Sequence, residues 1–373
     1  MKSVETILSD LISFRTDSQY TSNKEIIDYI VSYFKDEGLP FQVLTDESGV
    51  ISSLIAGVNV KSLSNIQEGI ILSGHLDTVP ASFIDWDTLP FYATQKDNRI
   101  YGRGAVDMKH SIAIFLSLLP EFKKINMPIL FAFSGDEETS CQGIRQITAF
   151  CDQNNIKPLY ALVAEPTGFQ IGVQTKGCHS FRTQIKGVSC HSSVPYEGIN
   201  SISIAARLIC FIEQLCQLYQ GRDLTLNVGK IVGGEESNIV PSDTYFDWEI
   251  RYLNNDIKQE VYDQILSYQK ALSREYKNAL ISVVEKDHLP SFKETSTNLV
   301  DIAQSYLIAE TVNLSYATEA GYFKSMGCET IILGAGDEDL AHKANEFIEI
   351  SELHAYRDFI MKFLQKLSLS KGL

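Results

Sequence analysis

Residues 4 to 14 and 22 to 37 place apolar side chains at helical spacing, and two amphipathic helices are expected there. "GIILSGH" (69–75) and "MPILFAFSG" (127–135) are short and almost wholly apolar, as strands covered on both faces are. Between them "MKHSIAIFLSLLPEF" (108–122) reads as a crossover helix, and "LYALVAE" (159–165) as a third buried strand. Helices alternating with apolar strands predict a mixed sheet sandwiched by helices.

The pattern changes near residue 177. "HSFRTQIKGVS" (179–189) alternates polar and apolar, as a strand with one wet face does. A long helix is expected over roughly 198 to 219, then strands in "LTLNVGKIVGG" and "TYFDWEIRYL". A helix at about 257 to 274 and a strand in "ALISVVEK" complete a β-α-β-β-α-β order, the ferredoxin-like arrangement. After residue 290 the buried α/β character returns, with "ETIILGAG" as a strand and a last amphipathic helix from about 351. The expected organisation is an α/β/α domain over 1–176 and 289–373, carrying an inserted α+β domain over 177–288.

Composition narrows the partners. The net charge of −15, from 47 acids against 32 bases, argues against nucleic acid or an anionic membrane. No uninterrupted apolar run reaches 18 residues, so no membrane span is expected. The first 20 residues lack the continuous apolar stretch of a signal peptide. Seven cysteines, odd in number and without a CxxC pair, fit free thiols in a reducing cytoplasm.

The candidate chemistry sits just after the buried strands. His75 and Asp77 follow the first, and Glu137 and Glu138 follow the second, in "FSGDEETS". Glu165 follows the third, His342 follows the last, and Asp107 lies in the Gly-rich "YGRGAVDMKHS". In an open α/β sheet, ligands collect beyond the carboxyl ends of the strands. Such a cluster of carboxylates repels itself unless cations sit in it, and mixed imidazole and carboxylate donors suit zinc, cobalt or manganese. Two ions about 3.5–4 Å apart that share one carboxylate need five ligating side chains. Setting Asp77 and Glu137 aside leaves five: His75, Asp107, Glu138, Glu165 and His342. Asp77, two residues beyond His75, is placed to accept from the imidazole nitrogen that does not face metal. Glu137 and Glu138 are neighbours whose side chains diverge, so one can ligate while the other acts as general base. Read alone, Asp107 would also serve as a helix N-cap, and the acids after residue 134 as a solvated turn.

"SGHLDTVP", "GRGAVDMKHSIA", "SGDEETS", "AEPTG" and "AHKANEF", in that order, resemble the M20 family of dizinc metallopeptidases and amidohydrolases. The resemblance covers essentially the whole chain. It implies that His75 and Glu165 hold one metal, Glu138 and His342 the other, with Asp107 bridging. It further implies Glu137 as general base, Asp77 as the acid behind His75, and a cis Asp107–Met108 bond. The resemblance also implies that the inserted domain is a lid used for homodimerisation, and that its His191 reaches the partner's active site to bind the reacting carbonyl.

The same domain offers Asn238 in "ESNIVPSD", and Arg251 in "WEIRYL" as a grip for a substrate carboxylate. "SYATEAGYF" (315–323) resembles the branch that deacetylates acetylornithine, which would turn Glu319 and Gly321 toward the substrate, Glu319 offsetting an ammonium. The expected activity is hydrolysis of an N-acyl amino acid by metal-activated water. N-acetyl-L-ornithine comes first, giving acetate and ornithine for arginine synthesis. Desuccinylation of succinyl-diaminopimelate, a dipeptidase or carboxypeptidase activity, and a non-catalytic metal-binding dimer are the alternatives.

Overall fold

A computed structural model describes residues 2–19, 22–46 and 49–370. Its contacts divide the chain into two units. One comprises the chain up to Gln174, Lys293–Leu314 and the chain from Thr318 onward; the other comprises Thr175–Phe292 and Ser315–Ala317.

The first unit is built on a mixed sheet, as its apolar strands predict. The strand order is Phe41–Thr45, Ser52–Val58, Ile129–Ser134, Ile70–His75, Tyr160–Val163, Glu329–Ile332 and Ile171–Thr175. Ile70–His75 runs parallel to both neighbours, and Glu329–Ile332 runs parallel to Tyr160–Val163. Four carboxyl ends therefore reach one edge. Ile70–His75 and Ile129–Ser134 are buried at every position. One face packs Phe131 and Phe133 against Phe34 and Phe115, with ring centroids 5.8 to 6.5 Å apart. The antiparallel pair Phe41–Thr45 and Ser52–Val58 and the helix Gln142–Gln153 add elements beyond those read from the sequence.

The crossover helix departs from expectation. It runs Lys109–Ser117 and restarts as Leu119–Phe122, with Pro120 in the new first turn. Proline has no N–H to donate, and its ring opposes the carbonyl four residues back, so the continuous helix ends before it. The terminal helix runs Ile350–Ser370.

The second unit is a four-stranded antiparallel sheet in the order Leu224–Gly233, Asp243–Tyr252, Gly177–Lys186, Leu280–Leu289. With the helices Ser201–Leu218 and Asn255–Glu275 it has the β-α-β-β-α-β order. Side chains of Asn200 and Asn254 cap the two helices. Ser201–Leu218 is, among the described residues, one helix with the length and mean hydropathy (1.3) of a membrane span. It carries Arg207 and Glu213 and buries Ile204, Leu208, Ile212 and Leu215 in this unit's own core, beside Phe181 and Trp248. All seven cysteines are free.

Candidate metal centre

The parallel strands deliver the chemistry their sequence suggests. His75 ends its strand, Glu138 lies in the turn after Ile129–Ser134, and Glu165 follows Tyr160–Val163. Asp107 and His342 come from loops. His75 Nε2 lies 2.9 Å from Asp107 Oδ1 and 3.9 Å from Glu165 Oε2. His342 Nε2 lies 2.9 Å from Glu138 Oε1 and 3.3 Å from Asp107 Oδ2. Two trios result, His75–Asp107–Glu165 and Asp107–Glu138–His342, each with its donor atoms within 4.8 Å of one another. Asp107 belongs to both, one oxygen toward each histidine. It does not cap the following helix, whose capping position is Met108 and has no side-chain bond. The Asp107–Met108 peptide is cis.

The acidity of these groups is what a cation-binding cluster requires. Burial works to raise Asp107, but hydrogen bonds from His342 and His75 hold it below the usual carboxylate range. His342 is raised to about 10 by its bonds to Asp107 and Glu138. Burial, and then the nearby carboxylates against the pull of His75, push Glu165 up to about 8 and Glu137 well above its ordinary range. Metal binding at such a cluster releases the protons these groups hold, because ligating carboxylates and imidazoles must be deprotonated. The donor set, one imidazole with carboxylates in each trio, fits two divalent ions.

Asp77 lies beside His75, and its carboxylate has a further task. The nearest acceptor for His75 Nδ1 is the Asp77 backbone carbonyl at 2.9 Å, with the carboxylate at 3.6 Å. The Asp77 carboxylate also accepts the backbone N–H groups of Glu137 (3.0 Å) and Glu138 (2.9 Å). It thus ties the turn bearing both glutamates to the strand end bearing His75. Glu137 itself stands outside both trios.

A further positioning residue was not singled out in the sequence. Glu346, 1% exposed, accepts from Arg103 Nη1 at 2.7 Å and from the backbone N–H groups of Gly104, Val106 and Asp107 at 2.8 to 3.1 Å. This buried carboxylate shapes the loop that presents Asp107. A glutamate four residues after His342 in a charged loop looks solvated, and no local pattern marks it as buried. Replacing Glu346 by Gln leaves Arg103, 3% exposed, without its counter-charge. The expected loss is about 3–5 kcal/mol of stability, measured by urea denaturation of the metal-free protein.

The remaining candidates lie outside the two trios. Glu319 and Gly321 are buried at the start of the helix Ala320–Ser325; Glu319 is 2% exposed and meets Ser73 rather than solvent. His191, Asn238 and Arg251 belong to the second unit. His191 is exposed on a two-residue strand, its Nδ1 accepting from the Ser193 backbone N–H at 3.1 Å. The neighbouring Ser192 N–H donates to the Asn238 carbonyl at 3.0 Å. The Arg251 guanidinium is held by Glu249, two residues earlier, at 3.0 and 3.4 Å.

A mixed α/β sheet with two carboxylate–imidazole trios at its carboxyl edge, joined by one aspartate, defines the class of metal-dependent hydrolases. Residues 71–366 match the pattern of peptidase family M20/M25/M40, and the chain belongs to that family. It is 28% identical over 377 residues to the acetylornithine deacetylase of Shigella sonnei (strain Ss046), covering 96% of this chain and 94% of the relative. It is 29% identical over 367 residues to that of Klebsiella pneumoniae (strain 342), covering 95% and 94%. The fold matches an M20 family metallo-carboxypeptidase from Sulfolobus solfataricus with a TM-score of 0.76 and 18% identity, over 99% of this chain and 100% of the other. A tripeptidase from Staphylococcus aureus matches with a TM-score of 0.75 and 22% identity, over 98% of each chain.

Proposed function

We propose that the protein removes the acyl group from an N-acyl amino acid, with N-acetyl-L-ornithine the favoured substrate and acetate and ornithine the products. The observation that carries the hydrolytic reading is the pair of trios joined by Asp107, with a high-pKa Glu137 beside them and outside both. His75 and Glu165 would hold one ion and Glu138 and His342 the other, with Asp107 common to both. Zinc, cobalt and manganese all suit these donors. When bound, such ions polarise the scissile carbonyl and make a nearby water more acidic.

Glu137 accepts a proton from the attacking water and delivers it to the leaving nitrogen as the C–N bond breaks. Asp77, gripping the Glu137 and Glu138 amides, keeps base and ligand in register. His191, Asn238 and Arg251 are assigned to substrate binding by family resemblance. The same resemblance supports a cytoplasmic homodimer acting in arginine synthesis, associated through the inserted domain as a lid.

The two relatives named for acetylornithine support the substrate. The neighbours named as a tripeptidase and a carboxypeptidase support peptide hydrolysis as the second reading. Purified protein loaded with Zn²⁺ or Co²⁺ is expected to turn over N-acetyl-L-ornithine with higher kcat/KM than succinyl-diaminopimelate, other acetylated amino acids, dipeptides or tripeptides. A chelator is expected to abolish that turnover. A peptide as best substrate would replace the substrate assignment, and bound metal with no turnover on the whole panel would replace the activity with metal binding alone.

A further inference from the structure

Beneath His75 lies a carboxyl that the proposed reaction does not use. Glu319 is 2% exposed; Ser73 Oγ donates to its Oε2 at 3.2 Å, and its Oε1 has no hydrogen-bond partner. The other hydroxyl acting on this carboxyl is that of Ser134, also fully buried and also without a well-formed bond. The sheet register relates these groups. Ser73 and His75 are two apart on one strand, so they share a face, and Ser134 is the direct partner of His75 on the neighbouring parallel strand. Glu319 thus meets both strands whose ends lead into the metal centre.

The charged and titratable surroundings disfavour an anion here. His75 and Asp77 face it from the first strand and its extension, Asp136 and Glu137 from the turn after Ser134, and Glu165 from the third strand end. Cys141 precedes the helix Gln142–Gln153, and Tyr322, which accepts from Arg145 at 2.9 Å, lies on Glu319's own helix. Four carboxylates against one imidazole leave a buried carboxylate with little to stabilise its charge. Burial, with Asp136 and Asp77, raises Glu319 to about 7.

We propose that Glu319 is a positioning residue held as the neutral acid, its Oε1–H donating to Ser134 Oγ while its Oε2 accepts from Ser73. One proton then satisfies both orphaned atoms and joins the strand ends that present His75 and the Glu137–Glu138 turn. This replaces contact with a substrate ammonium as the part Glu319 plays. The bridge stands on the fold alone; its effect on metal binding rests on the hydrolase reading.

Two variants and two readouts test it. Glutamine supplies the same donor and acceptor without titrating. Wild-type Glu319, raised above its unfolded value of 4.5, gives stability that is lost as pH rises through about 7. In the metal-free protein, the unfolding midpoint of Glu319→Gln is therefore expected to climb relative to wild type between pH 5 and 8. Glu319→Ala is expected to weaken Co²⁺ binding at least about 10-fold, and Gln to restore it to within about 3-fold. If Glu319→Ala does not fold, Ser134→Ala cuts the same bridge. A midpoint difference that stays flat from pH 5 to 8, or Gln binding Co²⁺ as weakly as Ala, overturns the proposal. Normal Co²⁺ binding with no hydrolysis on the whole panel sinks the functional assignment and leaves the bridge standing.

Discussion

Glu137→Gln is expected to lower kcat by about 10²–10⁴-fold while metal content and substrate KM stay near wild type. The amide keeps the size and the backbone anchoring of the side chain, since Asp77 holds the Glu137 and Glu138 N–H groups and not their carboxylates. It cannot take a proton. Glu137 also lies outside both trios, so its loss spares the donor set. Its raised pKa, and so its greater basicity, matters to the rate, because a base strong enough to deprotonate water must also release the proton to the leaving nitrogen. Steady-state kinetics on the acylated amino acid, beside metal analysis of the same sample, separates this outcome from simple metal loss. Equal loss of metal and activity would remove Glu137 from the role of base and make it a ligand.

Asp107→Asn is expected to strike both metal positions at once. Each trio has one imidazole, and each relies on one oxygen of Asp107. Affinity for both ions should fall by more than about 100-fold, beyond the loss that follows removal of an outer hydrogen-bond partner. Calorimetric titration with Zn²⁺ would read it, and loss of a single ion would show that Asp107 is not shared.

The metal-free protein carries a matching pH signature. His342, raised from 6.5 to about 10, contributes stability that is full below about 6.5 and disappears as pH rises through about 10. Asp107, held below its ordinary 3.8, contributes above that value and loses its contribution as pH falls further. The stability gap between wild type and Asp107→Asn is thus expected to be widest between about pH 4 and 6.5 and to close toward pH 10. Chemical denaturation across that range measures it.

Much of this centre was written in local sequence. Buried parallel strands read as apolar runs, and their carboxyl ends must lie along one edge, so the polar residues after each run converge without further information. That logic found His75, Glu138 and Glu165 from their own segments. It missed the edge strand Phe41–Thr45, whose mixed exposure marks neither a buried strand nor a helix, and its neighbour Ser52–Val58, which is buried from Ser53 onward.

What local sequence could not carry was which acid does which task, because that depends on partners far along the chain. Asp77 was assigned to His75 from a two-residue spacing, but nothing local showed that its carboxylate also takes up amides 60 and 61 residues later. Glu346 reaches back about 240 residues to shape the Asp107 loop. Glu319 was read as a charge facing substrate, but folding buries it against Ser73, 246 residues away in the chain, where burial and then Asp136 and Asp77 raise it to about 7. By itself the sequence determined the residue types, their order and the edge on which they gather, since these follow from periodicity and strand direction. Only the tertiary structure decided which carboxylates are charged, shared or spent on backbone amides, because burial and long-range neighbours, not residue type, set the energy of a charge.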